Sequence, residues 1–384
     1  MTDNKHITTI TPQTVKAVRH CLNHGYAFAM YSLPDTDSCV FFADPDPQMT
    51  PGDGPEFFAT DFASGYASRH RIRPVMDAAK ILMYDGPAVR QSHASADEDA
   101  PFSHSQYIGR VDSLIASLRA NGGKTVISRI FAMRPHTTLP QGVQRLFDSN
   151  PGAFRALFNT PATGCWLVAS PELLLHASDG QMRTMSLAGT RRAGAVGPWD
   201  IKNIREQDIV TQAITDSFGS FGIAPHVQPL QTLRANLVEH LCTVITAQTD
   251  AAPAAVADCL APTPAIAGYP LDAALSHIRD IEPHRRSLYG GYFGLAQDGD
   301  KPRFTAYVTL RCGRLMHDRL DVFAGSGITP DSVAEDEWTE IAAKARQFAD
   351  CFNAVIVDET TNNNISTKDN KTSNAVFTLQ GDCC

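Results

Sequence analysis

The sequence predicts a single large domain of mixed α/β (α+β) class, and three observations point to it. Strand-like apolar hairpins and amphipathic helical stretches alternate along the 384 residues. With 43% hydrophobic residues, the chain can bury a sizeable core. Residues with chemical potential are spread over more than half its length, which overrules the two or three domains that length alone suggests. Residues 1–354 are assigned to this one domain.

Tyr26 to Leu33 and Ser38 to Ala43 flank the turn-former Pro34-Asp35-Thr36-Asp37 and read as a hairpin. A Pro/Gly-rich loop follows from Asp44 to Pro55, and a polar stretch covers Gln91 to Ser105. Tyr107, Val111, Leu114, Ile115 and Leu118 form one stripe of a helix that Asn121-Gly122-Gly123 ends. A strand begins at Lys124 in KTVISRIFAM, and a second apolar hairpin spans Cys165 to Leu187. Between Asp200 and Phe218, Ile201, Ile204, Val210, Ala213, Ile214 and Phe218 recur at helical spacing, which sets Glu206 at the edge of the buried face. GGYFGL, RFTAYVTLRC and LDVFAGSGI read as three strands. Ser332 opens the last helix with the capping pattern Ser332-x-x-Glu335. From about Val355 to Cys384 the chain is rich in Asn, Thr and Ser, without periodicity, and is expected to be disordered.

The formal charge of -8, from 33 basic and 41 acidic residues, excludes a general nucleic-acid binder, which needs a basic footprint. The densest basic run, RHRIR at Arg69 to Arg73, reads as solvated surface. Nine scattered cysteines without a CxxC pair indicate neither a zinc site nor a disulfide framework, so reduced thiols are expected. No apolar run approaches the roughly 20 residues of a membrane helix, and the start MTDNKH is not a secretory signal. A soluble, cytoplasmic protein is expected.

The most informative stretch is SPELLL at Ser170 to Leu175, leading through Asp179-Gly180 into SLAGTRRAG at Ser186 to Gly194. A glutamate opening an apolar run, beside a Gly-Thr turn trailed by two arginines, suggests an acid near an anion site. In the last helix Glu337, Glu340 and Lys344 share one face: either a surface ion-pair ladder or two carboxylates for a hard cation such as magnesium, with Glu206 as a further acid. AGSGI at Ala324 to Ile328 offers backbone N–H groups to an anion, and Arg311 in TLRCG can clamp a carboxylate from a strand. Lys124 would ordinarily be a solvated strand-end lysine and Glu172 a strand-edge glutamate; if both are buried instead, desolvation lowers the lysine's pKa and raises the glutamate's, giving a base and an acid matched to neutral pH. His240 in VEHLCT reads as a satisfied buried histidine or a substrate contact. A GxxxxGK[ST] loop, an HExxH helix and a GxSxG elbow are all absent.

In order, the segments KTVISR, SPELLL, LAGTRR, KNIREQDIV, VEHLCT, PTPAIAGYP, SLYGGYFG, TLRC, AGSGI and EWTEIAAK resemble the chorismate-utilising enzymes, anthranilate synthase component I-like, from about Lys124 to Lys344. Within that family they look most like the isochorismate synthases. The resemblance implies large antiparallel sheets packed together with helices outside and a site in the cleft. It makes Lys124 the base that activates water and Glu172 the acid that protonates a leaving hydroxyl. It makes Glu206 and Glu340 magnesium ligands, with Glu337 near the metal through water. It assigns Gly189, Thr190, Arg311, Gly325 and Lys344 to the substrate's carboxylates and His240 to the pocket wall. Synthases that stop at isochorismate resemble the alanine form of PTPAIAG, whereas salicylate and anthranilate synthases typically carry threonine in place of Ala265. The implied reaction is magnesium-dependent exchange of chorismate for isochorismate, by water addition at C2 and loss of the C4 hydroxyl. A lyase of the salicylate or anthranilate type and a non-catalytic chorismate-binding protein are the rivals. No glutaminase subunit is expected, and a monomer is. Two positions depart from the family: Ala261 stands where a histidine is common, and Asn203 replaces an acid three residues before Glu206. The first removes a supporting side chain and the second a charge near the metal.

Overall fold

The computed structural model describes residues 8–90, 103–235, 238–299 and 302–357. Among these residues the chain forms two antiparallel sheets. The first runs, in hydrogen-bonded order, Gly268–Tyr269, Lys124–Arg134, Leu320–Ile328, Cys312–Leu315, Gly164–Ser170, Phe154–Thr160, Ala27–Ser32 and Val40–Asp44. Val355–Ile356 also pairs with Lys124–Arg134. The second runs His226–Val227, Val238–Gln248, Gln181–Arg192, Leu173–Ser178, Arg303–Val308, Tyr292–Gln297, Glu56–Ala59 and His70–Ile72, with Gln231–Ala235 on Val238–Gln248.

Side-chain alternation along the strands divides the core in two. On Lys124–Arg134, Ile127, Phe131 and Met133 pack with residues of the helices Pro12–His24, His104–Asn121, Leu139–Ser149 and Ala334–Phe352. Ile130, on the opposite face, joins Phe57, Phe158, Trp166, Phe293 and Phe323, which come from both sheets. The same alternation on Leu320–Ile328 sends Val322, Ala324 and Ile328 to the helices and Phe323 between the sheets. Lys124, Gly325 and Gly327 therefore share the inter-sheet face.

Two of the points at which the chain changes sheets are neighbours. Gly164–Ser170 ends in the first sheet, and after Pro171-Glu172 the chain enters the second as Leu173–Ser178. Arg303–Val308 ends in the second sheet, and after Thr309-Leu310-Arg311 the chain enters the first as Cys312–Leu315. Glu172 carbonyl accepts from Val308 N at 3.0 Å and Arg311 carbonyl from Ala169 N at 3.1 Å, so the two crossings lie side by side. This corrects the reading of Cys165 to Leu187 as one hairpin and of RFTAYVTLRC as one strand. Only Leu173–Ser178 and Gln181–Arg192 pair as a hairpin, through Asp179 and Gly180 at φ 52° and 76°, the left-handed values that a tight two-residue turn requires.

Further differences have local causes. The first hairpin forms as Ala27–Ser32 against Val40–Asp44. Ser103, within the expected polar stretch, caps the helix His104–Asn121 in a reciprocal box with Gln106; residues 91–102 lie outside the described residues. Ser332 does not cap the last helix, whose N-cap is Val333: its Oγ instead donates to Glu337 Oε1 at 2.7 Å. The RHRIR run is not free in solvent. Arg73 is forked onto Asp44 at 2.7 and 2.8 Å, Arg69 meets Glu56 and His70 meets Asp61, because three local acids face this edge. Val355–Ile356 is a strand, which moves the start of the expected tail; residues 358–384 lie outside the described residues. Among the described residues no helix is long and apolar enough to cross a membrane.

Candidate active site

Glu172 stands at the first of these two crossings, among the buried Ser170, Leu173 and Leu174, and is 8% exposed. Burial pushes its carboxyl up to about 7; Thr263 Oγ1, donating to Oε1 at 3.5 Å, and the charge of Lys124 pull partly the other way. A carboxyl so placed is a proton donor near neutral pH. Lys124 opens its strand on the same inter-sheet side and donates from Nζ to Glu206 Oε1. Its stem lies flat on Gly327, where an added Cβ would stand 2.4 Å from Lys124 Cε. A side chain at 327 would push the flexible end of Lys124 off this path. A cavity of about 240 Å³ opens beside Lys124 and Thr125, with Tyr269, Pro270 and His277 on its walls. Glu172, Arg311 and His240 do not line it.

Glu206 lies on Ile201–Gly219, which Asp200 caps by accepting from Asn203 N at 2.8 Å. Gln207, Val210, Ile214 and Phe218 make this helix's buried face, with Glu206 on its edge as the periodicity predicts. Ile201, counted there as apolar face, is 68% exposed, because it sits in the first turn ahead of that face. Gln207 was not singled out from the sequence and holds the helix in place. Its amide accepts from Ala188 N and donates to Ser186 carbonyl, Ser186 Oγ and Thr243 Oγ1, so both strands beneath are tied to it. A glutamine within an apolar stripe was the available signal.

Gly189 is the extra residue of a β-bulge. The register passes from His240↔Thr190 to Leu241↔Ala188, and Gly189 takes φ +70°. An added Cβ there would meet Asn203 Oδ1 at 3.0 Å, so the asparagine that replaces an acid covers this glycine. His240 Nδ1 donates to Gly189 carbonyl at 3.2 Å, which fixes the tautomer if the ring is neutral. Burial lowers the His240 pKa, and the cations Arg311 and Lys344 lower it further, which brings these three groups within one electrostatic neighbourhood. Arg311 is not on a strand as predicted but at the second crossing, at φ 43°, with Nη1 donating to Gln347 Oε1 at 2.8 Å. Its burial lowers its pKa too. Lys344 reaches back to the sheet and donates to Gly325 carbonyl at 2.8 Å. Ala265 is half-buried in the turn that carries Thr263.

The expected metal ligands are all carboxylates, a donor chemistry that fits magnesium. Their geometry is not that of a gathered set. Glu206 accepts from Lys124, Glu340 pairs with Lys344 at 2.7 Å, and Glu337 accepts from Ser332. Among the described residues no three His, Cys, Asp or Glu side chains are grouped to hold an ion.

The family model described as chorismate binding enzyme matches residues 68–353. The chain belongs to this family. As a chorismate binding enzyme it is 30% identical over 264 residues to the isochorismate synthase EntC of Escherichia coli strain K12, covering 64% of this chain and 66% of that one. It is 29% identical over 329 residues to the salicylate biosynthesis isochorismate synthase of Pseudomonas aeruginosa, covering 75% and 65%. The matched stretch thus spans about two thirds of these relatives' length. Among solved structures, Escherichia coli MenF, the menaquinone-specific isochorismate synthase, superposes with a TM-score of 0.66 at 19% identity, over 87% of this chain and 91% of that one. Anthranilate synthase component I from Streptococcus pneumoniae TIGR4 gives 0.59 at 16%, over 84% and 89%. At these identities the two structures establish the shared fold, with antiparallel sheets packed face to face and helices outside.

Proposed function

We propose that the chain is an isochorismate synthase, converting chorismate to isochorismate. The observation that carries this reading is Glu172, a carboxyl buried at a sheet crossing, raised to about 7, with the charge of Lys124 in reach. Hydroxide is a poor leaving group, so the C4–O bond breaks only as a proton arrives on that oxygen; Glu172 supplies it. Water adds at C2, and Lys124 Nζ takes its proton. Because Lys124 donates to Glu206 here, the amine serves as base only after that proton has left the pair. One water enters and one leaves, so the conversion is an isomerisation without redox change.

Arg311 and Lys344 supply the positive charge that binds a dianionic ring acid, with His240, whose pKa burial and these cations lower, as a pocket wall. Glu206 and Glu340, with Glu337, would hold magnesium, which when bound neutralises substrate carboxylate charge. The alanine at 265 favours stopping at isochorismate over elimination of pyruvate. Incubation with chorismate, with and without magnesium, followed by chromatographic separation, tests the reading. Isochorismate formed only with magnesium is expected. Salicylate or anthranilate would make the protein a lyase, and binding without turnover would make it non-catalytic.

A further inference from the structure

The turn 262–269 touches both ends of the proposed chemistry. Thr263 bonds Glu172, while Gly268 and Tyr269 pair with Thr125 and Lys124, and Ala267 carbonyl accepts from Val126 N at 2.9 Å. A further tie between this turn and the Lys124 strand comes from a side chain outside both. Arg286 donates from Nη1 to Ile266 carbonyl at 2.8 Å and from Nη2 to Val126 carbonyl at 2.7 Å. The same guanidinium is forked onto Glu282 at 2.9 and 2.6 Å, and its face rests on Phe62. Glu282 in turn accepts from Ser128 N at 2.7 Å and Ser128 Oγ at 2.9 Å. Both side chains of the pair are 2% exposed. A buried ion pair adds little stability over apolar packing of the same volume, and its best-attested use is to fix one register among alternatives. Here the register concerned is that of the strand bearing the base against the turn that contacts the acid.

We propose that the Arg286–Glu282 pair is a positioning unit that fixes turn 262–269 on the Lys124 strand and thereby sets the separation of Lys124 and Glu172. It builds on the isomerase reading above. Arg286 acts through the backbone of Val126 and Ile266 and through Thr263, and is a positioning residue. A misplacement of about 1 Å at reacting groups costs on the order of 100-fold in rate.

Two variants test it. Arg286→Lys keeps the charge beside Glu282 but cannot reach two carbonyls and fork onto a carboxylate at once. Ser128→Ala removes one hydroxyl contact to Glu282 and is the milder change. Each is measured for kcat and KM on chorismate with magnesium across pH, and for backbone amide exchange at residues 124–128 and 263–269. For Arg286→Lys, kcat is expected to fall about 10- to 100-fold with KM within about threefold. The alkaline limb of the rate profile should move as Thr263 leaves Glu172, and exchange should quicken in both segments together. Ser128→Ala should show the same pattern, smaller. A folded Arg286→Lys with kcat within about twofold of wild type, or exchange that rises in one segment only, overturns the proposal. If Arg286→Lys does not fold, Ser128→Ala decides by the same criteria. If the wild type consumes no chorismate the isomerase reading fails, and amide exchange alone then decides: a joint rise supports the coupling and a separate rise overturns it.

Discussion

The crossing seam and the last helix both carry ionisable residues of the proposed site, yet they treat charge in opposite ways. At the seam, Glu172 is 8% exposed and burial dominates its carboxyl, while burial also lowers Arg311 and His240. On Ala334–Phe352, Glu340 and Lys344 are 53% and 41% exposed and are joined as an i,i+4 pair. Solvent screens such a pair, so it contributes little to stability and can exchange partners readily. Proton transfer near pH 7 belongs where a charge is costly. The proposed cation binding falls instead on a solvent-facing carboxylate whose lysine partner is displaceable. On the proposed function, the first region would shift a proton and the second would help hold a charge.

The largest expected effect breaks the seam. Glu172→Gln should lower kcat by about 1,000-fold with KM within about threefold, and Lys124→Ala should do the same, since general acid or base groups contribute typically 10²–10⁴-fold. Near-normal chorismate consumption by either variant removes that residue from the chemistry. The next effect belongs to the helix. Glu340→Gln should raise the magnesium concentration for half-maximal rate by about tenfold while leaving the rate at saturation within about threefold, because a ligand lost from a displaceable pair weakens ion binding more than it alters the acid. An unchanged magnesium titration contradicts the ligand role.

Stability should separate the regions as well. The Glu172 carboxyl is raised from 4.5 to about 7, so the native state holds a proton that the unfolded chain has released, and stability falls as pH rises through that interval. Glu172→Gln escapes this penalty. Denaturant unfolding should find it more stable than wild type by up to about 3 kcal/mol above pH 7, with no gain below pH 4. A constant difference across pH speaks against burial as the cause.

The placement of these residues was legible in the sequence, but unevenly. Helical periodicity placed Glu206 on the edge of a buried face, and i, i+3, i+7 spacing placed Glu337, Glu340 and Lys344 together, because a helix's geometry is local. The crossings at Pro171-Glu172 and Leu310-Arg311 were not legible: an apolar run reads the same whether the chain stays in one sheet or passes to another. Hence Cys165 to Leu187 looked like one hairpin and Arg311 like a strand residue. The bulge at Gly189 depends on the register of Gln181–Arg192 against Val238–Gln248, which no local pattern encodes, whereas Gln207 left a trace as a glutamine within an apolar stripe. Lys124 and Glu172 were found as candidates, whereas the partner that holds Lys124 emerged only from the folded geometry.

The smallest expected effect sharpens the seam's tuning. The Thr263 hydroxyl lowers the Glu172 pKa, so Thr263→Val should move the alkaline limb of the rate profile upward by less than about one pH unit. A downward shift would mean that the hydroxyl stabilises the protonated acid.

Infrared difference titration of wild type against Glu172→Gln tests the central claim most directly. A carboxylic C=O stretch belonging to Glu172 should persist through pH 6 and vanish with a midpoint near about 7. A midpoint near the ordinary 4.5 would contradict the account, because the residue at the sheet crossing would then hold no proton to deliver.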